Sequence, residues 1–426
     1  MAEDILKEQV AEKLSSLGAV EIIVGIPSYN NARTIGQVVK AAQAGLLNSF
    51  PDRKALVVNS DGGSQDGTQE VVEKASVDTQ ALMVVRHPLH PIHRLTTPYH
   101  GLPGKGSALQ TLFRITEAAR ARALAVVDAD LGSITPEWFN LLLQPILTWE
   151  FDYVAPYYTR HKYDGTITNS IVYPLTRALY GRRLRQPIGG EFGISGRLAS
   201  HFLTRDVWNT DVARYGIDIW MATTAMAENF KVCHANLGGK IHDPMEPGLD
   251  LSAVLVQIVG TVFRLMETYD LVWRNVLGSL PVAMLGLPFE VTPEPVTINV
   301  QRALASFQQG VRDLLPVYEK MFAAEQLREL KLCAALSVDG FVLPDELWVG
   351  LIYNSALAYH RRVFDREHLL KSLMPLYLGW VASFARQSEN ETSAQVDGRI
   401  EKLCLVCEQL KPYLLNQWPL QAGEKG

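Results

Sequence analysis

Four short apolar runs, separated by stretches of helical periodicity, constrain this chain more than any other feature. "EIIVGI" at 21–26, "ALVVN" at 55–59, "ALMVVR" at 81–86 and "ALAVVD" at 123–128 are apolar at consecutive positions. Strands buried on both faces of a parallel sheet have this texture. Helical patterns run from about Arg33 to Leu47, near 66–75, and from about Gly106. Thr135-Pro136-Glu137 opens another, an N-cap residue followed by proline at the first helical position. Strand and helix in alternation predict an α/β fold with a mostly parallel, Rossmann-like sheet covered on both sides. In such sheets ligands bind beyond the carboxyl ends of the strands. The loops after Ile26, Asn59, Arg86 and Val127 are therefore where chemistry is expected.

Past residue 247 strand signals become rare, and 251–275, 298–325 and 344–384 carry apolar residues at helical spacing. The expected division is an α/β domain over 1–247 and a mainly helical region over 248–426, forming an interface or an acceptor-site wall. The 426 residues, 47% hydrophobic and 20% charged, hold enough apolar surface for packed cores, which excludes a disordered chain. A net charge of −5 argues against a protein that wraps nucleic acid. Four cysteines cannot form a disulfide framework, and Cys404 and Cys407 read as buried thiols on a helix. The most apolar stretches, 251–266 and 276–289, are too short to span a bilayer and read as buried helices. A cytoplasmic location without a membrane span is the expectation.

Four loops carry candidate chemistry. In "VVDADLG", 126–132, Asp128 and Asp130 stand where a buried strand ends; paired carboxylates there can bring oxygen ligands to a divalent cation. In "SDGGSQDGT", 60–68, Asp61 can accept from a base N–H, beside glycines that allow close backbone approach. "GIPSYNNARTIG", 25–36, with Pro27 and Tyr29, leads from a strand to a helix N-terminus suited to a nucleotide. "LPGKGSAL", 102–109, sets Lys105 between glycines at a helix start, where a diphosphate would find a cation and free N–H groups, although the P-loop spacing is absent. Alone, each is also what an ordinary βα turn shows. His87, His90 and His93, interleaved with prolines, read as a mobile loop, and "YGRRLRQ" at 180–186 as a basic helix end.

The order and spacing of these loops, with "GTITNSIVYPLTRALYG" (165–181), "RQPIGGEFGISGRL" (185–198), "RYGIDIWMATTAM" (214–226) and "VCHANLGGKIHDP" (232–244), resemble the GT-A glycosyltransferases. Within these, the sequence is similar to the retaining enzymes typified by glucosyl-3-phosphoglycerate synthase, over about residues 20–250. The resemblance implies Mg2+ or Mn2+ held by Asp130 and His242. It places Asp128, Pro27, Tyr29, Asp61, Lys105, Gly190 and Tyr215 around a UDP- or GDP-hexose. Asp218 would hold donor-sugar hydroxyls and Glu191 would line the reaction centre. Gly165, Thr166, Thr168 and Lys240 would receive the acceptor. Retention would use front-face attack, with the leaving phosphate as base.

The chain departs from that pattern at four positions. Thr166 replaces an arginine that grips the acceptor phosphate, Lys240 replaces an arginine, Pro244 an asparagine, and Asn31 an acidic residue. Loss of a bidentate phosphate grip favours an unphosphorylated acceptor. The expected activity is metal-dependent transfer of glucose or mannose to glycerate or 3-phosphoglycerate, making a compatible solute or its precursor, by a homodimer. The alternatives are the same fold acting on a lipid or polysaccharide primer, and a sugar nucleotidyltransferase.

Overall fold

The computed structural model describes residues 14, 19–75, 82–86, 104–208, 210, 212, 216–241, 251–287 and 295–418. The strands are β1 (Ile22–Ser28), β2 (Ala55–Asp61), β3 (Leu82–Arg86), β4 (Ala123–Val126), β5 (Tyr153–Thr159), β6 (Phe192–Ser195), β7 (Val232–Gly239) and β8 (Ala283–Leu285). The helices up to residue 227 are α1 (Ile35–Ser49), α2 (Thr68–Ala75), α3 (Lys105–Ala118), α4 (Pro136–Trp149), α5 (Tyr173–Tyr180), α6 (Gly196–Leu203) and α7 (Ile217–Ala227). They are followed by α8 (Leu251–Thr268), α9 (Asp270–Arg274), α10 (Val300–Asp313), α11 (Leu315–Met321), α12 (Ala324–Ala334), α13 (Asp345–His360), α14 (Arg366–Gln387) and α15 (Ser393–Gln417).

The strands form one sheet in the order β3-β2-β1-β4-β6-β5-β7-β8. Only β6 runs antiparallel to its neighbours, β4 and β5; every other pair is parallel. Ile22, Val24 and Ile26 of β1 pack with Val38, Val39 and Ala42 of α1 and with Phe139, Leu142 and Leu143 of α4. On the opposite face Gly25 meets Leu112 of α3. Burying each such side chain contributes about 1.5–3 kcal/mol, which is why runs apolar on both faces end up inside. β1 extends beyond the expected stop at Pro27 to Ser28. β4 pairs with it only as far as Gly25, so the missing N–H of Pro27 breaks no ladder on that side.

The chain divides into two compact units. One comprises 1–159, 184–250 and 282–293; the other comprises 160–183, 251–281 and 294–426. The first holds the sheet. The second is helical, and α5 belongs to it although its sequence lies inside the α/β half. Its buried Arg177 donates to Glu401 Oε2 at 2.5 Å, to Glu408 Oε1 at 2.8 Å and to Ser279 Oγ at 3.0 Å. Helix α8 is long and apolar enough to cross a membrane by length and composition. Its apolar face, including Leu255, Val259, Val262 and Phe263, is buried within the helical unit, as expected. The stretch 276–289 is not a buried helix. Its described part is a loop and the short edge strand β8, with Leu277 fully exposed and Leu287 85% exposed. Gly278, Pro281 and Gly286 interrupt it, and Gly286 has φ +85°. Cys404 and Cys407 are free and buried, as expected.

Candidate active site

The carboxyl ends of β4, β5 and β7 and the first turns of α3 and α7 bring five charged side chains of the α/β unit into one buried cluster. Gly104, in the left-handed conformation, caps α3, whose first residue is Lys105. A lysine at a helix N-terminus opposes the helix dipole and is held there by carboxylates. Lys105 Nζ lies 3.3 Å from Asp218 Oδ2 and 3.5 Å from Asp128 Oδ1. Asp218 stands in the first turn of α7. Lys240, just past β7, reaches Glu191 Oε1 at 2.8 Å, Glu191 Oε2 at 3.0 Å, the Gly189 carbonyl at 3.0 Å and Asp128 Oδ2 at 3.4 Å. Asp128 thus links the two lysines. Three carboxylates face two ammonium groups, one negative charge in excess when all are ionised.

Burial decides how these groups titrate. It raises the Asp218 carboxyl, against the pull of Lys105. It pushes Glu191 up to about 7, opposed by Lys240 and reinforced by Asp128. Lys105 is held well above its usual range: burial opposes its charge, but Asp128, Asp218 and Glu191 outweigh it. Asp218 Oδ1 is buried and has no hydrogen-bond partner among the described residues.

The rings of Tyr158 and Phe192, which the sequence does not single out, and the Gly189 carbonyl, beside the expected Gly190 and Glu191, complete the cluster. Tyr158 of β5 donates its hydroxyl to Glu191 Oε2, and its ring lies 5.6 Å from Lys240 Nζ. The ring of Phe192 lies 5.8 Å from Lys105 Nζ. The Gly189 carbonyl accepts from Lys240. An aromatic in a strand reads as core, so only its neighbours reveal the role of Tyr158. Gly190 is required by geometry. Its φ is +99°, and a Cβ there would stand 2.3 Å from Asp128 Oδ2.

The loops after β1 and β2 are laced to each other. Asn30 N donates to Ser64 Oγ, Asn31 N to Thr68 Oγ1 and Ala32 N to Asp66 Oδ2. Tyr29 N donates to Asn31 Oδ1 at 2.8 Å, so Asn31 serves its own turn as an acidic residue would. Asp61 is more occupied than expected. Its carboxylate accepts from Ser28 Oγ, Ser64 Oγ, Gly63 N, Ser64 N and Gln69 Nε2. These bonds overcome burial and lower its pKa. In this structure Asp61 organises the glycine turn, with no lone pair left over for a base.

Asp130 is half-buried, two residues beyond Asp128. Gly132 N and Ser133 N donate to the Ile241 carbonyl at 2.8 and 3.2 Å, and Ile241 N donates to Ser133 Oγ at 2.9 Å. The residue preceding His242 is therefore fastened to the Asp130 turn. His242 itself, Tyr215, and His87, His90 and His93 lie outside the described residues. Among the described residues no group of three or more His, Cys, Asp or Glu side chains could hold a metal. Of the expected acceptor residues, Lys240 belongs to the charged cluster, whereas Gly165, Thr166 and Thr168 belong to the helical unit.

Residues 23–196 match the model of glycosyl transferase family 2. The chain is 23% identical over 346 residues to glucosyl-3-phosphoglycerate synthase of Petrotoga mobilis, covering 75% of this chain and 94% of that protein. A match of that extent cannot stop at the α/β unit. It is 30% identical over 119 residues to glycosyltransferase AglD of Haloferax volcanii, covering 28% of this chain but only 17% of that relative. A solved structure of glucosyl-3-phosphoglycerate synthase from Mycobacterium tuberculosis, in complex with Mn2+, UDP and glucosyl-3-phosphoglycerate, is 21% identical. It has a TM-score of 0.43 and covers 61% of this chain and 84% of that one.

Proposed function

We propose, for a chain whose residues 23–196 match the model of glycosyl transferase family 2, that it moves glucose or mannose from a UDP- or GDP-sugar to a small hydroxy acid, with retention at the anomeric carbon. The observation that carries this reading is Asp218. One of its oxygens is held by Lys105, and the other is buried with no hydrogen-bond partner among the described residues. A bare buried carboxylate oxygen costs about 1–3 kcal/mol or more. A sugar hydroxyl donating to it removes that penalty with a charge-assisted bond. The hydroxyls of a hexose are donors of this kind.

The rest of the cluster fits the same reaction. The bond between the anomeric carbon and the diphosphate oxygen breaks, the acceptor oxygen bonds to that carbon, and the acceptor proton passes to the departing diphosphate. Lys105, held charged by its three carboxylate neighbours, stabilises the developing negative charge on the diphosphate. Asp128, fixed by both lysines, and Gly190, which leaves room for close approach, line the donor sugar. Glu191, restrained by Tyr158 and Lys240, lies under the reaction centre as a positioning residue. Its saturated contacts argue against a covalent nucleophile. Asp130 and His242 are the proposed ligands of Mg2+ or Mn2+. The attachment of Ile241 to the Asp130 turn supports the pairing, and the carboxylate oxygens of Asp130 suit either ion. When bound, such an ion adds positive charge at the diphosphate oxygens.

The test is an acceptor panel. The protein is incubated with Mg2+ or Mn2+, each nucleotide sugar, and glycerate or 3-phosphoglycerate, and nucleoside diphosphate release is followed. Release that depends on one hydroxy acid is expected. Release indifferent to both acids overturns the acceptor assignment, and pyrophosphate release overturns the transferase reading in favour of a nucleotidyltransferase.

A further inference from the structure

β7 carries one residue more than its neighbour β5 can pair. The two strands run parallel in register from Tyr153 opposite Val232 to Tyr157 opposite Asn236. The next pair is Tyr158 opposite Gly238, so Leu237 is left over. Such a bulge is rare between parallel strands, and bulges recur beside active sites, where they re-aim a side chain. Two side-chain amides brace this one. Asn236, which is buried, accepts from Gly238 N at 3.2 Å through its Oδ1, and its Nδ2 donates to the Leu287 carbonyl just past β8 at 3.3 Å. Gly238 has φ +76°, a conformation that a residue with a Cβ adopts only under strain. On the facing strand Gln186 fastens Tyr158. Its Oε1 accepts from Tyr158 N at 3.1 Å, and its Nε2 donates to the Tyr158 carbonyl at 2.9 Å. β6 pairs with β5 only at Tyr153 and Val154, so the Gln186 amide stands in for a strand residue there.

The extra residue decides which way Lys240 points. Side chains alternate between the two faces of a strand. Cys233, Ala235 and Leu237 lie in the core with Val154 and Tyr158, and His234 and Asn236 take the other face. Continued without interruption, the alternation would send Lys240 to the face of His234 and Asn236. The bulge reverses it, as any one-residue slip in a strand does. Gly238 stands level with Tyr158, and Lys240, two residues on, shares the face of Tyr158. Its Nζ lies 5.6 Å from the Tyr158 ring and reaches Glu191, with the side chain only 9% exposed.

We propose that Asn236 is a positioning residue for the charged cluster: it holds the bulge that turns Lys240 onto Glu191 and Asp128. The kinetic consequence rests on the hexosyltransferase reading above, and the test separates the two. Asn236→Leu keeps the volume and removes the acceptor for Gly238 N. Asn236→Asp keeps that acceptor and forfeits only the donor to Leu287. Each protein is treated with an amine-acetylating reagent, and the modified lysines are located by mass spectrometry. Asn236→Leu is expected to speed acetylation of Lys240 about tenfold, with Lys105 of the same cluster as protected as before. Its kcat/KM for the nucleotide sugar is expected to fall about 100-fold. Asn236→Asp should restore both readouts to near wild type. If Asn236→Leu does not fold, Gly238→Ala, which strains the bulge and leaves Asn236 in place, carries the same expectations. Unchanged protection of Lys240 overturns the proposal, as does Lys105 becoming reactive together with Lys240, or Asn236→Asp behaving like Asn236→Leu. Exposure of Lys240 with unimpaired turnover overturns it too. A wild-type protein that releases no nucleoside diphosphate from any sugar overturns the reading of the reaction instead. The acetylation pattern then still decides whether Asn236 aims Lys240.

Discussion

Asp218 and Glu191 are both carboxylates kept from water, but they should fail differently when altered. Asp218→Asn keeps the shape and removes the charge that a sugar hydroxyl would complement. Its kcat/KM is expected to fall about 100-fold or more, near 3 kcal/mol of lost transition-state binding, with thermal stability close to wild type. Steady-state kinetics beside a melting curve check this. Glu191 makes a prediction about pH. Its folded pKa, pushed up to about 7, exceeds the unfolded value, so the native state holds more protons between about pH 4.5 and 7. Stability contributed by that proton is present below this window and lost as pH rises through it. Replacing the group by Glu191→Gln should flatten the decline of Tm between pH 5 and 8, whatever the absolute Tm. An unchanged slope would show that Glu191 does not titrate there. Lys105 and Asp128 are legible because each sits at a strand end or a helix start, whereas Asp218 follows only from the family resemblance. Tyr158 is not legible, since strand aromatics are core far more often than ligand shell. The use of Lys240 was read from family position as acceptor binding, whereas its ammonium is shared among Glu191, Asp128 and the Gly189 carbonyl.

At the level of elements, β1, β2, β4, α1, α2, α3 and α4 follow from local pattern, because strands buried on both sides leave little choice but consecutive apolar residues. In 276–289 punctuation outweighs composition. Two prolines and two glycines in fourteen residues deny a helix regardless of hydrophobicity. The loop between Gln186 and β6 is the element whose exact backbone the site needs. Gly190→Ala must place a Cβ at positive φ against Asp128. Backbone strain of about 1–3 kcal/mol follows, along with displacement of a carboxylate that both lysines grip. A lowered Tm with near-complete loss of turnover is expected. Full activity would remove Asp128 and its loop from the site.

For the whole molecule, the expected cut at residue 247 is too simple. Residues 160–183 belong to the helical unit, so the chain leaves the α/β unit and re-enters it before that point. A chain truncated after residue 247 would keep Arg177 and lose Glu401 and Glu408, its two carboxylate partners. An unpaired buried charge costs about 3–5 kcal/mol. Such a truncation should be insoluble or show unprotected amides over α5, while the full chain protects them. A soluble truncation with normal α5 protection would restore the simple boundary. Local periodicity cannot reveal this threading, since α5 looks like any other amphipathic helix until its partners, more than 200 residues away, are seen.

The same threading limits how such a protein can diversify by recombination. A single crossover near residue 250 would graft a new carboxyl-terminal half onto an insert, 160–183, adapted to the old one. Lys162, Tyr163, Thr166 and Arg177 would meet unfamiliar carbonyls, hydroxyls and carboxylates. Exchange of the whole helical unit by gene shuffling would need three coordinated replacements, over 160–183, 251–281 and 294–426, the first of them only 24 residues long. Point substitution along that short insert is the easier route.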